Sequence, residues 1–546
     1  MKHQTVVVIG GGATGVGILR DLSMRGIKAV LVEQQDISYG TSSRFHGLLH
    51  SGGRYAVKDR ESAVECIEEN FILKKIAPYS IEKTEGFFVR LSGDDIDFEE
   101  LWVKSCVDAG IPVEAVSVKE ALSLEPNLSK EIKSVYRVPD CAIDGIRLAW
   151  QNIDSAKRYG GDILTYTKVT GIDVSNGKVK GVHIEDSITK EKDYIPCDFV
   201  VNATGAWSEK IASMVGLNVN VRPDKGIMIA FNHRFTNRVI NRLRPASDGD
   251  IFVPHGSVVI FGTTSYKAEG PDDLLSTREE AIKLLKLGTP MFENLYNYRI
   301  LRVFSGIRPL YSADSDVSGR SATRSFAVLD HEKEGLEGMA TILGGKFTTY
   351  RLMAEKMTDL VCHKLNINAE CRTHIEPLLM EIPTDSDNNY IKKYFPSFNL
   401  HGTISRLGEN FDDFLNILKA NPEKGQIICE CERVSIAEIE TVASLKTSRN
   451  FGDIRRKTRL GMGTCQGAFC SSRMAAISLA KGFFPNKDGK KTFESLSKNF
   501  IEARFRGIRP VFWGNQIRET ELMRSIYGSL LNIDGETSNG ADSDER

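Results

Sequence analysis

Apolar residues fall into two rhythms along this chain. Thr5–Ile9 is a short β-branched run that reads as a buried strand. Gly10–Gly12 makes a turn, Ala13 to Met24 has helical spacing, and Gly26 stops it. Ala29–Glu33 reads as a second strand, which completes a βαβ unit. Much later, Phe199–Thr204 is another apolar strand ending in Gly205, and Val258–Phe261 alternates. Residues 1–370 therefore read as one interleaved body with a nucleotide part and a substrate part. Thr384–Asn389 is polar and reads as a linker, inside a connecting segment 371–425 that is helical around Phe411–Leu418. A cysteine-rich unit spans 426–485, and a helix run is expected from Cys470 through Ala480. Residues 486–533 mix aromatics with helix formers and are expected to pack on the body. The polar tail 534–546 is expected to be disordered.

Length and charge narrow the possibilities. A chain of 546 residues is too long for one ordinary core. With 71 Lys and Arg against 72 Asp and Glu, no global field recruits nucleic acid or an anionic membrane. Positive charge for an anionic ligand must then be gathered locally. No run approaches the ~18 apolar residues of a spanning helix, and no secretory signal is visible. The expected location is the cytoplasm, with any contact at the inner face of the cell membrane made through a partner subunit.

Gly10, Gly12 and Gly15 make G-x-G-x-x-G between a strand and a helix. The glycines allow the tight turn, the approach of backbone to a pyrophosphate, and close helix–strand packing. The helix start offers free N–H groups to phosphate. Glu33, at the end of the second strand, suits a ribose hydroxyl. The fingerprint alone does not separate FAD from NAD. The long interrupted body and the late strand returning toward the nucleotide favour FAD, and no second fingerprint provides for NAD. The expected architecture is α/β and α+β: a Rossmann-like FAD-binding domain interleaved with a mixed-sheet substrate domain, plus a small C-terminal cysteine domain.

Six of the ten cysteines are scattered, and four are clustered: Cys429 and Cys431 as C-x-C, Cys465 and Cys470 as C-x4-C. Four thiolates satisfy a [2Fe-2S] cluster. They also suit zinc, although zinc knuckles favour wider spacing than C-x-C. Gly461, Gly463 and Gly467 surround the second pair and free the backbone to aim N–H groups at sulfur.

Three further stretches carry a family resemblance. They are Thr41-Ser42-Ser43-Arg44-Phe45-His46-Gly47-Leu48-Leu49-His50-Ser51-Gly52-Gly53-Arg54-Tyr55, Gly306-Ile307-Arg308-Pro309-Leu310, and Gly344-Gly345-Lys346-Phe347-Thr348-Thr349-Tyr350-Arg351. With the cysteine unit, the chain resembles the FAD-dependent sn-glycerol-3-phosphate dehydrogenases, most of all the catalytic large subunit of the anaerobic respiratory type. The cysteine unit resembles bacterioferritin-associated ferredoxin domains, which have C-x2-C where this chain has C-x4-C. The resemblance implies oxidation of glycerol 3-phosphate to dihydroxyacetone phosphate, with electrons leaving through a [2Fe-2S] cluster to electron-transfer and membrane-anchor subunits and a quinone. It implies FAD contacts from Thr41, Ser42, Ser43, Gly205, Gly344 and Gly345. Arg54, Tyr55, Thr264, Arg308, Arg324 and Lys346 are the implied substrate contacts, with Thr263 as an alternative to Thr264. Arg binds phosphate bidentately and Lys acts as a point charge. Arg308 and Lys346 are expected to act at the reacting centre with His50 as the base, and His255 stands second for that role. Gly306 and Pro309 suggest a turn that aims Arg308 inward. Two other readings compete: a flavin dehydrogenase of another small hydroxy or amino acid, and a redox sensor that binds without turnover.

Overall fold

The computed structural model describes residues 4–311, 325–379, 385–395, 400–484 and 489–531. Two large sheets build the body. The first has six strands in the order Phe326–Asp330, Met339–Gly344, Phe199–Asn202, Thr5–Ile9, Lys28–Val32 and Asp162–Leu164. Only the Phe326–Asp330 edge is antiparallel to its neighbour. Val6, Val7 and Val8 are fully buried, as expected of a central parallel strand covered on both faces. Helix Ala13–Met24 covers one face and packs against helices Gly145–Arg158 and Tyr350–Lys364. Strand Thr5–Ile9 and this helix form at the bounds their spacing predicts. The second strand closes one residue early, at Val32, so Glu33 emerges beyond its end.

The second sheet has nine strands, and its backbone is the antiparallel pair Val221–Phe231 and Ile300–Tyr311. Among the named strands, Ile300–Tyr311 pairs only with Val221–Phe231. Such an edge tolerates Pro309, which has no N–H to give. The turn expected at Gly306–Pro309 is therefore the continuation of a strand. A core of Phe87, Phe231, Phe252, Phe261 and Phe292 fills the space behind this sheet.

The C-terminal third is helical with one small hairpin, Ile427–Cys429 with Val434–Ser435. The stretch read as a linker becomes helix Asp385–Tyr394 from its second residue, because Ile391 is buried in the C-terminal core. The helix at Phe411 runs to Ala420, and Cys470–Ala480 forms as read. Helices Gly489–Ile508 and Asn515–Leu531 are separated near Pro510. One apolar core runs from Ile391 through Phe414, Ile439 and Ile454 to Phe500 and Met523, so connecting helices, cysteine loops and late helices share it. Helix Gly489–Ile508 also lies on strand Ile300–Tyr311 of the body. The tail 534–546 and Thr384 lie outside the described residues.

Charged groups fix the cysteine unit to the nucleotide part. Asn450 caps helix Phe451–Thr458 through Asp453, whose carboxylate also accepts the Tyr166 hydroxyl at 2.7 and 2.8 Å. Arg456 and Lys457, on the same helix, each reach buried Asp36 at 3.1 Å. Asp36 lies three residues past Glu33, so the loop after the second strand is shared by both units.

Candidate active site

A cavity of about 1180 Å³ opens between the two sheets. Gly10, Gly12 and Glu33 line it from the fingerprint, and Thr41, Ser42, Gly205, Gly344 and Gly345 from the other motifs. A β-carbon at Gly15 would run into the carbonyl oxygen of Gly10, so only glycine lets the helix start this close to the strand. Gly15 thus shapes the turn from behind and does not line the cavity. The first helical N–H, from Ala13, is taken by Ser42 Oγ at 2.8 Å. Thr41 Oγ1 donates to the Ile307 carbonyl at 2.7 Å, tying the nucleotide side to the strand that carries Arg308. Ser43 is a correction: its hydroxyl donates to the nearby Gly40 carbonyl at 3.4 Å, and among the described residues that line the cavity it does not appear. The Glu33 carboxylate accepts N–H groups from Gly11 at 2.7 Å and Gln35 at 2.9 Å. Burial raises its pKa and these two donors oppose the rise.

His50, Arg54, Tyr55, Arg308 and Lys346 line the same cavity. Arg308 stands opposite Asp224 in the antiparallel register and pairs with it through Nη1. Its Nη2 donates to Thr263 Oγ1 at 2.5 Å and to the Thr264 carbonyl at 2.9 Å. Thr264 itself is fully buried, and its hydroxyl accepts the Ile227 N–H at 3.1 Å. It does not reach the cavity and Thr263 does, which corrects the expectation for Thr264. Arg54 reaches the Ser247 carbonyl at 2.8 Å and buried Asp250 at 3.2 Å. Asp250 also holds Arg244, at 2.8 and 2.9 Å. Lys346 Nζ is 3.5 Å from Glu65 and 5.3 Å from the centre of the Tyr55 ring. Arg324 lies outside the described residues.

Sequence reading missed Arg242 and Arg244, which also line the cavity. They lie in no glycine-rich motif. Their signal is the alternation Asn241-Arg242-Leu243-Arg244, which turns both arginines to one side of an extended segment. Arg242 is gripped by Asp94, with contacts of 2.7 to 3.1 Å.

Three histidines meet near these cationic side chains. Burial, then His46, Arg54 and Lys346, hold the His50 pKa well below its ordinary value. Burial, then Arg308 and Arg54, push His46 down to about 3. Both rings are neutral at pH 7 and line the cavity, 5.7 Å apart between centroids. His255 is a correction: its Nε2 is engaged with the His46 carbonyl at 2.9 Å, and it does not line the cavity.

The four clustered cysteines come together outside this cavity. Cys470 hydrogen-bonds with Cys429 and Cys465, and Cys465 with Cys431. Backbone N–H groups of Gly461 and Glu432 point at the Cys429 sulfur, and those of Gly467 and Phe469 at Cys465. The backbone of Cys465 does the same for Cys431. A β-carbon at Gly463 would strike Cys431, so the loop closes over the sulfurs only with glycine there. Among the described residues, no three His, Cys, Asp or Glu side chains converge on a single ion. The thiols meet pairwise instead, and donors aimed at sulfur suit thiolates.

Residues 5–351 match the model of the family described as FAD dependent oxidoreductase (DAO). The chain is 40% identical over 560 aligned residues to the A1 subunit of anaerobic glycerol-3-phosphate dehydrogenase from Haloferax volcanii, covering 100% of this chain and 93% of the relative. It is 39% identical to an anaerobic glycerol-3-phosphate dehydrogenase subunit of Escherichia coli (strain K12), covering 98% of each chain. Among solved structures, glycerol-3-phosphate dehydrogenase from Bacillus halodurans complexed with FAD superposes with a TM-score of 0.68. That match covers 94% of this chain and 97% of the other at 22% identity, and it bears on the fold. Among the described residues no helix is long and apolar enough to cross a membrane. The chain belongs to the FAD-dependent oxidoreductases, and within them to the family of anaerobic glycerol-3-phosphate dehydrogenases.

Proposed function

We propose that this chain oxidises sn-glycerol 3-phosphate to dihydroxyacetone phosphate with FAD. In this reading the electrons leave through a [2Fe-2S] cluster on Cys429, Cys431, Cys465 and Cys470 to partner subunits and a quinone. The body is residues 1–370, and the cluster unit is 426–485. The carrying observation is that one cavity holds both a dinucleotide fingerprint and a set of cations around neutral histidines. Gly10, Gly12, Ser42 and Glu33 hold the nucleotide. Bound FAD supplies a two-electron acceptor that releases electrons singly. Arg54, Arg308 and Lys346 bind the phosphate dianion, and the Tyr55 hydroxyl adds a contact. The imidazole of His50, kept neutral by its surroundings, takes the proton from the C2 hydroxyl oxygen as hydride leaves C2. The carbonyl of the product results. The N–H groups around the Cys429, Cys431 and Cys465 sulfurs supply what a cluster's thiolates accept.

Anaerobic mixing with glycerol 3-phosphate should bleach the flavin absorbance in a single turnover. An unphosphorylated hydroxy or amino acid should bleach it far more slowly. The reverse preference would assign the chain another substrate, and no bleaching by any of them would leave it without a dehydrogenase role.

A further inference from the structure

His46 and His50 line one cavity, yet the backbone treats their rings differently. The Leu48 N–H donates to His46 Nδ1 at 3.2 Å. A nitrogen that accepts an N–H carries no proton of its own, and an imidazolium needs a proton on both nitrogens. The His46 ring is therefore neutral, with its one proton on Nε2. Burial and the charges of Arg308 and Arg54 press the same way. Among the described residues no acceptor takes the Nε2 proton. The His50 ring has no such backbone tie among them: its main-chain N–H goes to Thr348 Oγ1 at 3.0 Å, and its carbonyl accepts from Asn70 at 3.1 Å.

The main chain on either side of the His46 ring is pinned. Gly47 is left-handed, with a φ of 75°. A β-carbon there would strike His255 Nε2, so glycine lets that imidazole close on the turn. His255 Nε2 donates to the His46 carbonyl at 2.9 Å, and the Ile143 N–H donates to the Gly47 carbonyl at 2.8 Å. Leu48 and Leu49 then pair with Ala142 and Cys141. A donor held in this way before a ligand arrives need not be reorganised during reaction. The ring centres of His46 and His50 are 5.7 Å apart, a spacing at which each can bring one nitrogen to about 2.8 Å from a single shared oxygen.

We propose that His46 donates its Nε2–H to the C2 oxygen of the substrate while His50 takes the proton from that oxygen. This rests on the substrate and the base assigned above. The C2–H bond breaks as hydride goes to the bound flavin, the O–H bond breaks as its proton goes to His50, and C2–O becomes C=O. His46 neither gains nor loses a proton. Its N–H offsets the negative charge that builds on the oxygen as the O–H bond opens, and it then holds the carbonyl of the product. The phosphate is a poorer target for this donor. Arg54, Arg308 and Lys346 line the cavity and offer the phosphate full charges, beside which a neutral imidazole adds little.

The test uses the full-length protein loaded with FAD. Two ligands are compared through the change in flavin absorbance on binding: dihydroxyacetone phosphate, and 3-hydroxypropyl phosphate, which lacks the central oxygen. The rate of anaerobic bleaching at saturating glycerol 3-phosphate is measured beside them. His46→Met, which has no donor, should bleach about a hundredfold more slowly than the parent. It should bind dihydroxyacetone phosphate about threefold to tenfold more weakly, and 3-hydroxypropyl phosphate as the parent does. His46→Gln, whose amide restores an N–H at similar reach, should recover much of both losses. If His46→Met does not hold FAD, His46→Leu takes its place. Parent-like bleaching without the donor would overturn the proposal. Equal weakening toward both ligands would overturn it too, as would a His46→Gln no better than His46→Met. A parent that glycerol 3-phosphate does not bleach fails the substrate reading, and this inference with it. A parent that bleaches, matched by His46→Met, fails the role of His46 alone.

Discussion

The substrate cavity and the edge of the cysteine unit hold their positive charge differently. In the cavity, Arg54 and Arg244 share Asp250, Arg242 is held by Asp94, Arg308 by Asp224 and Lys346 by Glu65. Beside the cysteines the pattern is mixed: Arg473 pairs with Glu430 and Arg459 with Glu432, while Arg302 and Arg455 have no carboxylate partner among the described residues. Arg44 lines the cavity, with Asp272, Arg456 and Arg506 as its charged neighbours. A cation gripped by a carboxylate is oriented and partly neutralised, so it suits a dianion that must arrive, react as an alcohol and depart.

The largest effect should come from breaking the cysteine side. Cys465→Ser removes the thiol that touches both Cys470 and Cys431. Iron should fall from about two per chain to near zero. FAD should stay bound and glycerol 3-phosphate should still bleach it, because the cavity draws no side chain from the cysteine loops. Unchanged iron content would remove the cysteines from the cofactor. Loss of FAD with the iron would show that the two regions are not independent.

On the turnover side, Arg308→Ala should lower kcat/KM for glycerol 3-phosphate by roughly thirty-fold to a thousand-fold while FAD stays bound. The structure adds that Asp224, only 3% exposed, would lose its cation. Its stranded carboxylate then repels the phosphate. Adding Asp224→Asn should recover about tenfold, the scale of relieving one buried unpaired charge near a ligand. A double variant no better than Arg308→Ala would mean that Asp224 does not act through Arg308.

Much of this was legible because it is local. The spacing Gly10, Gly12, Gly15 fixes a turn within six residues, and the strand and helix around it follow from β-branched and helical periodicity. Helix Cys470–Ala480 begins where its sequence says it does. The partners of the cations were not legible. Asp224 lies 84 residues from Arg308 and Asp250 lies 196 from Arg54, and no local pattern encodes either pairing. Arg308 misled for a further reason. Gly-Ile-Arg-Pro has turn composition, yet Pro309 falls opposite Pro223 on an edge strand, where neither needs a ladder N–H. Thr263 and Thr264 lie just past the end of strand Val258–Gly262 and differ in which way each side chain faces, which strand periodicity does not fix there.

That one-residue difference gives a finer test. Thr263→Val takes an oxygen from Arg308 Nη2 and should reduce kcat/KM about three- to tenfold, the scale of one hydrogen bond to a charged group. Thr264→Val leaves the buried Ile227 N–H without its acceptor. It should cost about 1–3 kcal/mol of stability and leave kcat/KM near the parent value. If Thr264→Val instead impairs turnover in a protein of parent stability, the assignment of the two threonines is inverted.

The smallest effect concerns pH, and it tests whether the cavity's cations tune the base as well as the phosphate. His50 must be neutral to take the proton. Burial, His46, Arg54 and Lys346 all act against its protonated form, so its pKa lies well below the ordinary value of about 6.5. The free enzyme's acid limb in kcat/KM should therefore not fall at that ordinary value but lower, apart from the titration of the substrate phosphate near pH 6, which is common to every variant. Removing a positive neighbour relaxes the penalty on protonation. In Arg54→Gln the His50 pKa should rise toward 6.5, and the acid limb should move to higher pH, whatever happens to the absolute rate. Asp250→Asn should shift the limb the other way, since it leaves the Arg54 charge less neutralised beside His50. The measurement is the rate of flavin bleaching at low substrate concentration across pH, each profile scaled to its own maximum. Superimposable profiles for the parent, Arg54→Gln and Asp250→Asn would mean that His50 does not carry the acid limb, and the proton would then have to leave the C2 hydroxyl by another group.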